Sequence, residues 1–404
     1  MEYIDRSLEP FVRKAAGEFP AVVLAGPRQS GKTTLLRHLF RETHRYISLE
    51  PPDVRAAAAD DPRSFLELNQ PPVILDEVQY VPGLMPYIKE RIDKSGGKAG
   101  QYLLTGYRDL LLSENITESL GRRAANLRLL PLSYREITNT PQANFPWEKG
   151  ARTGRHNFIF RDLWASFLKG GYPEIAVNPK LDVARWHASY VQTYLDRDLR
   201  SLRQIGDLTQ FHMFLRALAA RSAQLLNITD LARDLGLSVN TVKAWISVLE
   251  ATCQLFILRP YFRNVGKRLV KTSKVYFADV GTLCYLAGLK DAEHAMSGPM
   301  GVAIFETAVV NEVIRRLSGR GKLPQLYFWR TSTGVEVDLI VETAGRLIPI
   351  EARMSATPDR SMARNIVSFR KDFYGQAEKG FVVHPGDVTL PLGPDVVALP
   401  FADL

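Results

Sequence analysis

The sequence predicts an α/β fold with a parallel sheet for the first third of the chain. Two observations lead to this expectation. The apolar run 22–25 breaks into a glycine-bounded loop, Gly26-Pro27-Arg28-Gln29-Ser30-Gly31-Lys32-Thr33-Thr34. A second apolar run, 73–75, ends in the adjacent acids Asp76 and Glu77. Short apolar strands that alternate with helical segments are typical of parallel sheets, which gather the residues after each strand at one edge.

The first loop has the spacing of a Walker A phosphate loop. Gly26 and Gly31 allow the backbone to turn successive N–H groups toward phosphate oxygens. Lys32 is predicted to contact the β- and γ-phosphates, and Thr33 to hold Mg²⁺. The helix that follows adds the positive end of its dipole. We therefore predict that residues 26–34 bind ATP together with Mg²⁺.

The two acids after the second run have the Walker B arrangement. Asp76 is predicted to hold Mg²⁺ through water, and Glu77 to deprotonate the attacking water, so the chemistry is ATP hydrolysis. A further apolar strand, 101–104, ends at Thr105, which is the candidate sensor between these acids and the γ-phosphate. The alternative for Thr105 is a strand-end threonine that satisfies its own backbone.

Arg122 and Arg123 stand together before the apolar run 127–132. One of them is a candidate arginine finger, because arginine is always charged and can bind a phosphoryl group through two nitrogens. It would act in its own subunit or, in a homo-oligomer, on a neighbour. A solvated basic turn is the other interpretation.

Composition indicates which partners, cysteine chemistry and location to expect. The net charge of +9 and a pI near 9.4 favour an anionic partner such as nucleic acid, although a basic surface is the commoner explanation. The two cysteines, Cys253 and Cys284, indicate neither a disulfide framework nor a cysteine metal site. The chain shows no signal-peptide pattern and no apolar run long enough to cross a membrane, so we expect a cytoplasmic protein.

A segment rich in proline, glycine and asparagine, 140–154, predicts a domain boundary. Beyond it, residues 228–249 have the pattern of a helix-turn-helix, followed by a strand and a basic hairpin, which together favour a winged helix. The hairpin cations are Arg263, Lys267, Arg268, Lys271 and Lys274. A DNA-binding module is one interpretation, with Asn240, Thr241 and Lys243 as the base or phosphate readers. A module that packs against other domains is the alternative.

The C-terminal segment predicts an amphipathic helix, 302–317, and then an antiparallel meander of three strands. Asp338 and Glu351 on neighbouring strands could share a divalent metal, with Glu306 of the helix as a third carboxylate. This is the acid pattern of restriction-endonuclease-like folds. Those nucleases place a lysine two residues after the second acid, whereas this chain has Arg353, which cannot release a proton. We therefore expect a vestigial nuclease site that does not cut DNA.

Seven motifs occur in an order that resembles a known family: residues 26–34, Leu75-Asp76-Glu77-Val78-Gln79, Leu103-Leu104-Thr105-Gly106, Leu129-Leu130-Pro131-Leu132-Ser133, Gly170-Gly171-Tyr172-Pro173-Glu174, Tyr194-Leu195-Asp196-Arg197-Asp198, and Phe328-Trp329-Arg330 with Glu336-Val337-Asp338. The chain resembles the prokaryotic AAA-type ATPases that carry a C-terminal domain of unknown function, with a winged helix and an endonuclease-like core. In the register of that family, the finger arginine falls on Arg123, with Arg122 as the alternative.

The expected organisation has three domains: an AAA-type P-loop ATPase domain at 1–145, a helical and winged-helix domain at 155–285, and an endonuclease-like domain at 298–404. The expected function is a nucleotide-driven switch with ATP as ligand. A DNA-binding regulator with little ATP turnover and a Mg²⁺-dependent nuclease are the alternatives.

Overall fold

The computed structural model of the chain describes residues 3–106, 120–151, 160–195, 207–262 and 272–404. The chain divides into two units. The first contains Met1–Leu132, Ala251–Cys253 and Arg315–Leu323, and the second contains Ser133–Glu250, Gln254–Ile314 and Pro324–Leu404. Within the described ranges, no helix has the length and hydropathy that crossing a membrane requires.

A five-stranded parallel sheet organises the first unit. Its strands are β1 (Ala21–Ala25), β2 (Arg45–Ser48), β3 (Val73–Asp76), β4 (Tyr102–Gly106) and β5 (Ala124–Arg128). Their order across the sheet is β2-β3-β4-β1-β5, and every pair is parallel. The flanking helices are α1 (Glu9–Glu18), α2 (Lys32–Phe40), α3 (Pro52–Asp60), α4 (Pro62–Leu68) and α5 (Met85–Lys94). The predicted α/β fold with a parallel sheet is confirmed.

Both faces of this sheet are covered by apolar side chains, as expected for a parallel sheet. On one face, Val22 and Leu24 of β1 pack with Leu35 of α2. On the other face, Val23 packs with Leu75 of β3. Because alternate residues of β1 are buried on opposite faces, the strand is fixed and the loop after Ala25 begins at a defined point.

Between Tyr134 and Ala251, the described residues are mainly helical. The helices are α6 (Tyr134–Ile137), α7 (Phe160–Lys169), α8 (Pro173–Val177), α9 (Val183–Ser189), a π-helix (Tyr190–Leu195), α10 (Leu208–Ala219), α11 (Ile228–Leu235) and α12 (Val239–Ala251). Gly236, with a φ of +65°, separates α11 from α12. Ser238 Oγ accepts the Thr241 N–H at 3.0 Å and so caps α12. Both helices of the predicted helix-turn-helix are present, whereas residues 263–271 of the predicted wing lie outside the described residues.

A nine-stranded sheet lies in the second unit. Its strands are β6 (Gln224–Leu225), β7 (Leu255–Pro260), β8 (Lys274–Phe277), β9 (Leu326–Arg330), β10 (Glu336–Thr343), β11 (Arg346–Ala352), β12 (Gly380–His384), β13 (Leu390–Gly393) and β14 (Val396–Pro400). The order is β13-β14-β12-β11-β10-β9-β7-β8-β6. Strands β9, β10 and β11 form the predicted antiparallel meander.

The helices of this part are α13 (Val280–Leu286), α14 (Ala292–Ser297), α15 (Gly301–Ser318) and α16 (Arg364–Asp372). The pairing of β7 with β9, through Arg259↔Tyr327 and Pro260↔Phe328, joins the strands near the helix-turn-helix to the C-terminal strands in one sheet.

Candidate functional site

The phosphate loop follows β1 in a space that only a glycine backbone fits. A Cβ on Gly26 would lie 2.0 Å from the Leu129 carbonyl oxygen, and Gly31 has a φ of +93° as the residue before α2. Ser30 Oγ is buried and has no hydrogen-bond partner among the described residues. A close backbone cradle with an unpaired buried hydroxyl at a helix N-terminus fits the phosphate groups of ATP.

Lys32 is buried at the start of α2. Its Nζ donates to the carbonyl oxygens of Gly26 at 3.1 Å and Pro27 at 2.9 Å, so the ammonium is held against the loop. Burial lowers the pKa of Lys32, while the nearby Glu77 and Asp76 carboxylates oppose that shift. The lysine is therefore placed where a polyanion can be bound with little reorganisation.

The Asp76 carboxylate accepts hydrogen bonds from hydroxyl groups on three elements. Thr33 Oγ1 lies 2.9 Å from both of its oxygens, Tyr46 donates its hydroxyl to Oδ2 at 2.8 Å, and Thr105 donates to Oδ1. Burial and the Asp76 charge raise the pKa of Tyr46, so that hydroxyl keeps its proton. Carboxylate and hydroxyl oxygens are the ligands that Mg²⁺ prefers, so Asp76 with Thr33 fits Mg²⁺ binding.

Glu77 sits on a left-handed turn directly after β3, with a φ of +59°. Its N–H donates to Thr105 Oγ1 at 2.9 Å, and its carboxylate accepts a hydrogen bond from Gln79 Nε2. A non-glycine residue in this conformation is strained and is kept by its surroundings. Here Thr105 and Gln79 fix the backbone and the carboxylate, respectively. Because β4 lies between β1 and β3, Thr105 stands between the two motifs.

Two further arginines hold the phosphate loop in place. Arg28 Nη2 donates to the Tyr80 hydroxyl at 2.7 Å, which links the loop to the segment after Glu77. Arg6 is buried and donates to the carbonyl oxygens of Ser30 at 2.8 Å and Leu130 at 2.6 Å. The N-terminal segment is therefore bonded to both the loop and the end of β5.

Arg122 and Arg123 lie at the N-terminal ends of the parallel strands, whereas the phosphate loop lies at the C-terminal ends. Ala124, the first residue of β5, is in register with Ala21, the first residue of β1. The phosphate loop begins at Gly26, five residue steps further on, or about 16 Å at the rise of a strand, which exceeds the reach of an arginine side chain. Arg123 is instead paired with Asp93, Nη2 to Oδ2 at 3.2 Å. In the structure, Arg123 therefore does not reach the phosphate loop of its own chain, and a finger that acts on a neighbouring chain stays a prediction.

The position of Lys274 differs most clearly from what the sequence analysis predicted. The sequence analysis counted it among the cations of a basic hairpin, with a DNA-contacting wing as one interpretation, but it is 4% exposed in β8. Its Nζ lies 2.8 Å from Glu306 Oε1, contacts Glu336 Oε1, and lies 4.0 Å from Asp338 Oδ1. Buried charges require such partners, since an isolated charge in the interior is costly. We call Lys274, Glu306, Glu336 and Asp338 the lysine–acid cluster.

The expected metal site of Glu306, Asp338 and Glu351 is therefore not what the structure forms. Of the residues it describes, no three acidic, histidine or cysteine side chains are arranged to hold a metal ion. Glu351 is fully buried and ion-paired with Arg353, two residues away on the chain. Burial, and then the Asp338 charge, raises the pKa of Glu351, while Arg353 opposes the shift.

The sequence analysis assigned no role to Tyr46, Gln79 or Arg6, and it assigned Lys274 to the basic hairpin. A signal existed only for Gln79, which stands two residues after Glu77 in a quoted motif. The contact of Tyr46 depends on the pairing of β2 with β3, where Tyr46 is opposite Ile74, two residues before Asp76. The contact of Lys274 depends on strand order, which residue spacing does not reveal.

Comparison with known proteins divides the chain into three parts. Residues 18–138 match the family model of an AAA domain, residues 160–293 match a domain of unknown function, DUF8612, and residues 302–404 match another, DUF4143. Over 390 residues, 96% of this chain and 82% of theirs, it is 29% identical to proteins of Mycobacterium bovis and Mycobacterium tuberculosis, both described as uncharacterized.

Two solved structures are also similar. A Walker-type ATPase of Pyrococcus abyssi is 18% identical and matches with a TM-score of 0.45, covering 70% of this chain and 96% of its own. A RuvB variant of Thermotoga maritima is 16% identical with a TM-score of 0.29, covering 63% of this chain and 89% of its own.

Proposed function

Because the chain is an AAA-type P-loop ATPase with a C-terminal DUF4143 domain, we propose that it hydrolyses Mg²⁺-ATP and that its nucleotide state acts as a switch for the second unit. One observation carries the proposal. Asp76, Glu77, Thr33 and Thr105 meet through hydrogen bonds at the edge of the sheet where the phosphate loop begins. In this constellation Asp76 is placed to bind the metal. Glu77 is a second acid, which is available to act as the general base.

The roles follow from the contacts. Lys32 and the backbone N–H groups of the loop, Pro27 excepted, bind the phosphates, and Thr33 with Asp76 would hold Mg²⁺, which would neutralise phosphate charge. The Glu77 carboxylate, oriented by Gln79, accepts a proton from the attacking water. The water oxygen bonds to the γ-phosphorus as the bridging bond to ADP breaks, which releases ADP and phosphate. Thr105 holds the Glu77 backbone during this step.

The test compares Glu77→Gln with the parent in phosphate release from Mg²⁺-ATP. The amide keeps the shape and loses the base, so turnover should fall about a hundredfold or more, while ATP still binds. Glu67→Gln, which alters an exposed acid on α4, should match the parent. Parent-rate hydrolysis by Glu77→Gln would remove Glu77 from the reaction.

A DNA-binding regulator with little turnover is the second candidate, and the exposed face of α12 favours it. Asn240, Lys243 and Ser247 of this helix face solvent, where a recognition helix carries its contacts. The predicted wing residues Lys267 and Arg268 lie outside the described residues. Anisotropy of a labelled DNA duplex at low and physiological salt tests this candidate, because phosphate contacts release counterions. Lys243→Glu should weaken binding and flatten its salt dependence, whereas Lys371→Glu on α16 should not.

A further inference from the structure

The lysine–acid cluster surrounds one cation with oxygen ligands from two elements. Glu306 comes from the second turn of α15, whereas Glu336 and Asp338 come from the same face of β10, because they are two residues apart on a strand. The Lys274 ammonium is within 4.0 Å of all three carboxylates. A ring of carboxylate oxygens around a central positive charge is also how proteins hold Mg²⁺ or Mn²⁺.

The remaining bonds of the three carboxylates are directed outward. Glu306 Oε1 accepts the Tyr276 hydroxyl at 2.7 Å, Asp338 Oδ2 accepts the Ala352 N–H at 2.9 Å, and Glu336 Oε2 accepts Arg330 Nη1 at 3.0 Å. Each acid therefore has one fixed partner besides Lys274. These partners help to orient the carboxylates toward the ammonium.

The backbone of Lys274 is held on both sides. In the sheet, Lys274 pairs with Leu258 of β7 and with Leu225 of β6. Its Nζ also lies 5.8 Å from the centre of the Phe328 ring. Burial alone would lower the pKa of Lys274, but Glu306, Asp338 and Glu336 together raise it, so the side chain stays a cation. The sheet therefore fixes the backbone position from which the ammonium reaches the acids.

We propose that the Lys274 ammonium permanently takes the place of a divalent cation in the lysine–acid cluster, and that its removal opens a Mg²⁺- or Mn²⁺-binding site formed by Glu306, Glu336 and Asp338. The negative charges of the three carboxylates are then compensated by the Lys274 ammonium and not by a bound metal. Because Arg353 pairs with Glu351 outside the cluster, Arg353→Lys should not create a metal site there.

The experiment titrates Mn²⁺ into the nucleotide-free full-length chain and follows free Mn²⁺ by electron paramagnetic resonance. All proteins carry Asp76→Asn, which removes the metal-binding acid of the first unit and makes the result independent of the proposed ATPase function. We expect no bound Mn²⁺ in this background or in Lys371→Ala, an exposed lysine on α16. Lys274→Ala should bind one equivalent, and the added change Asp338→Asn should abolish that binding.

Two results would overturn the proposal. One is Mn²⁺ binding by the background protein that Asp338→Asn abolishes, since the ammonium would then not exclude the metal. The other is a folded Lys274→Ala, checked by circular dichroism, that binds no Mn²⁺. If Lys274→Ala unfolds in metal-free buffer, refolding in Mn²⁺ but not in K⁺ supports the proposal. If it refolds in neither, the proposal is overturned, because a divalent cation then does not replace the ammonium among the three acids.

Discussion

Lys32 illustrates how one side chain is prepared for its ligand. It is buried, its ammonium faces two loop carbonyls, and its charge is close to the acids Asp76 and Glu77. The α2 core behind it is formed by leucines and does not depend on the ammonium. Removing the side chain beyond Cβ should therefore affect ligand binding more than folding.

We expect Lys32→Ala to weaken Mg²⁺-ATP binding by about tenfold to a hundredfold, because hydrogen bonds to charged groups contribute about 1.5–3 kcal/mol. Titration calorimetry measures the affinity, and a thermal melt checks the fold. Lys14→Ala, an exposed lysine on α1, is the matched control. Parent-like affinity in Lys32→Ala would contradict the phosphate-loop assignment.

Thr105 is the only described residue that bonds to both Asp76 and the backbone of Glu77. Thr105→Val keeps the volume but leaves the Glu77 N–H without its acceptor, so the turn that places the general base should loosen. We expect kcat to fall about tenfold or more with KM for ATP nearly unchanged. Thr105→Ser should restore kcat. A loss confined to KM would mean that Thr105 only helps to bind ATP.

At the scale of elements, the loop depends on the closeness of β1 and β5. Gly26 must fit against the Leu129 carbonyl, so Gly26→Ala should displace the loop and abolish measurable ATP binding while lowering the melting temperature. Gly83→Ala, where an added Cβ meets nothing within 4 Å, should leave both unchanged. Normal ATP binding by Gly26→Ala would show that the loop can move without loss of its ligand.

Local sequence patterns predicted the phosphate loop well, because the loop, β1 and α2 are contiguous in sequence. Strand direction would also have placed Arg123: a residue just before a parallel strand lies at the edge away from the phosphate loop. Lys274 could not be placed in the same way. Its partners come from a helix and a strand far along the chain, and its basic neighbours in sequence suggested a surface hairpin.

For the whole molecule, we expect two buried histidines to lower stability at mildly acidic pH. Burial is the main cause that lowers the pKa of His187 and of His384. His384 Nδ1 accepts the Gly386 N–H at 3.1 Å, and Nε2 lies 2.8 Å from the Val388 carbonyl oxygen. A second proton on the ring would be on Nδ1, where it would face the Gly386 N–H, which is also a donor.

Because the unfolded chain binds these protons more readily, stability should be full above the ordinary histidine pKa of about 6.5 and fall as the pH drops toward the lowered folded values. The slope is up to about 1.4 kcal/mol per pH unit for each imidazole. Thermal melts between neutral and mildly acidic pH measure it, and His384→Gln should flatten the curve relative to His38→Gln on α2. An unchanged slope in His384→Gln would assign acid sensitivity to other groups.

The pairing of β7 with β9 has a consequence for how this architecture can be inherited. The DUF8612 match ends at residue 293 and the DUF4143 match begins at 302, yet one continuous sheet crosses that boundary. The earlier segment also supplies Lys274, whose charge compensates acids of the later one. A gene rearrangement that separated the two segments would leave an unpaired strand edge and buried carboxylates without their cation. The two segments are therefore expected to be transmitted together as one evolutionary module.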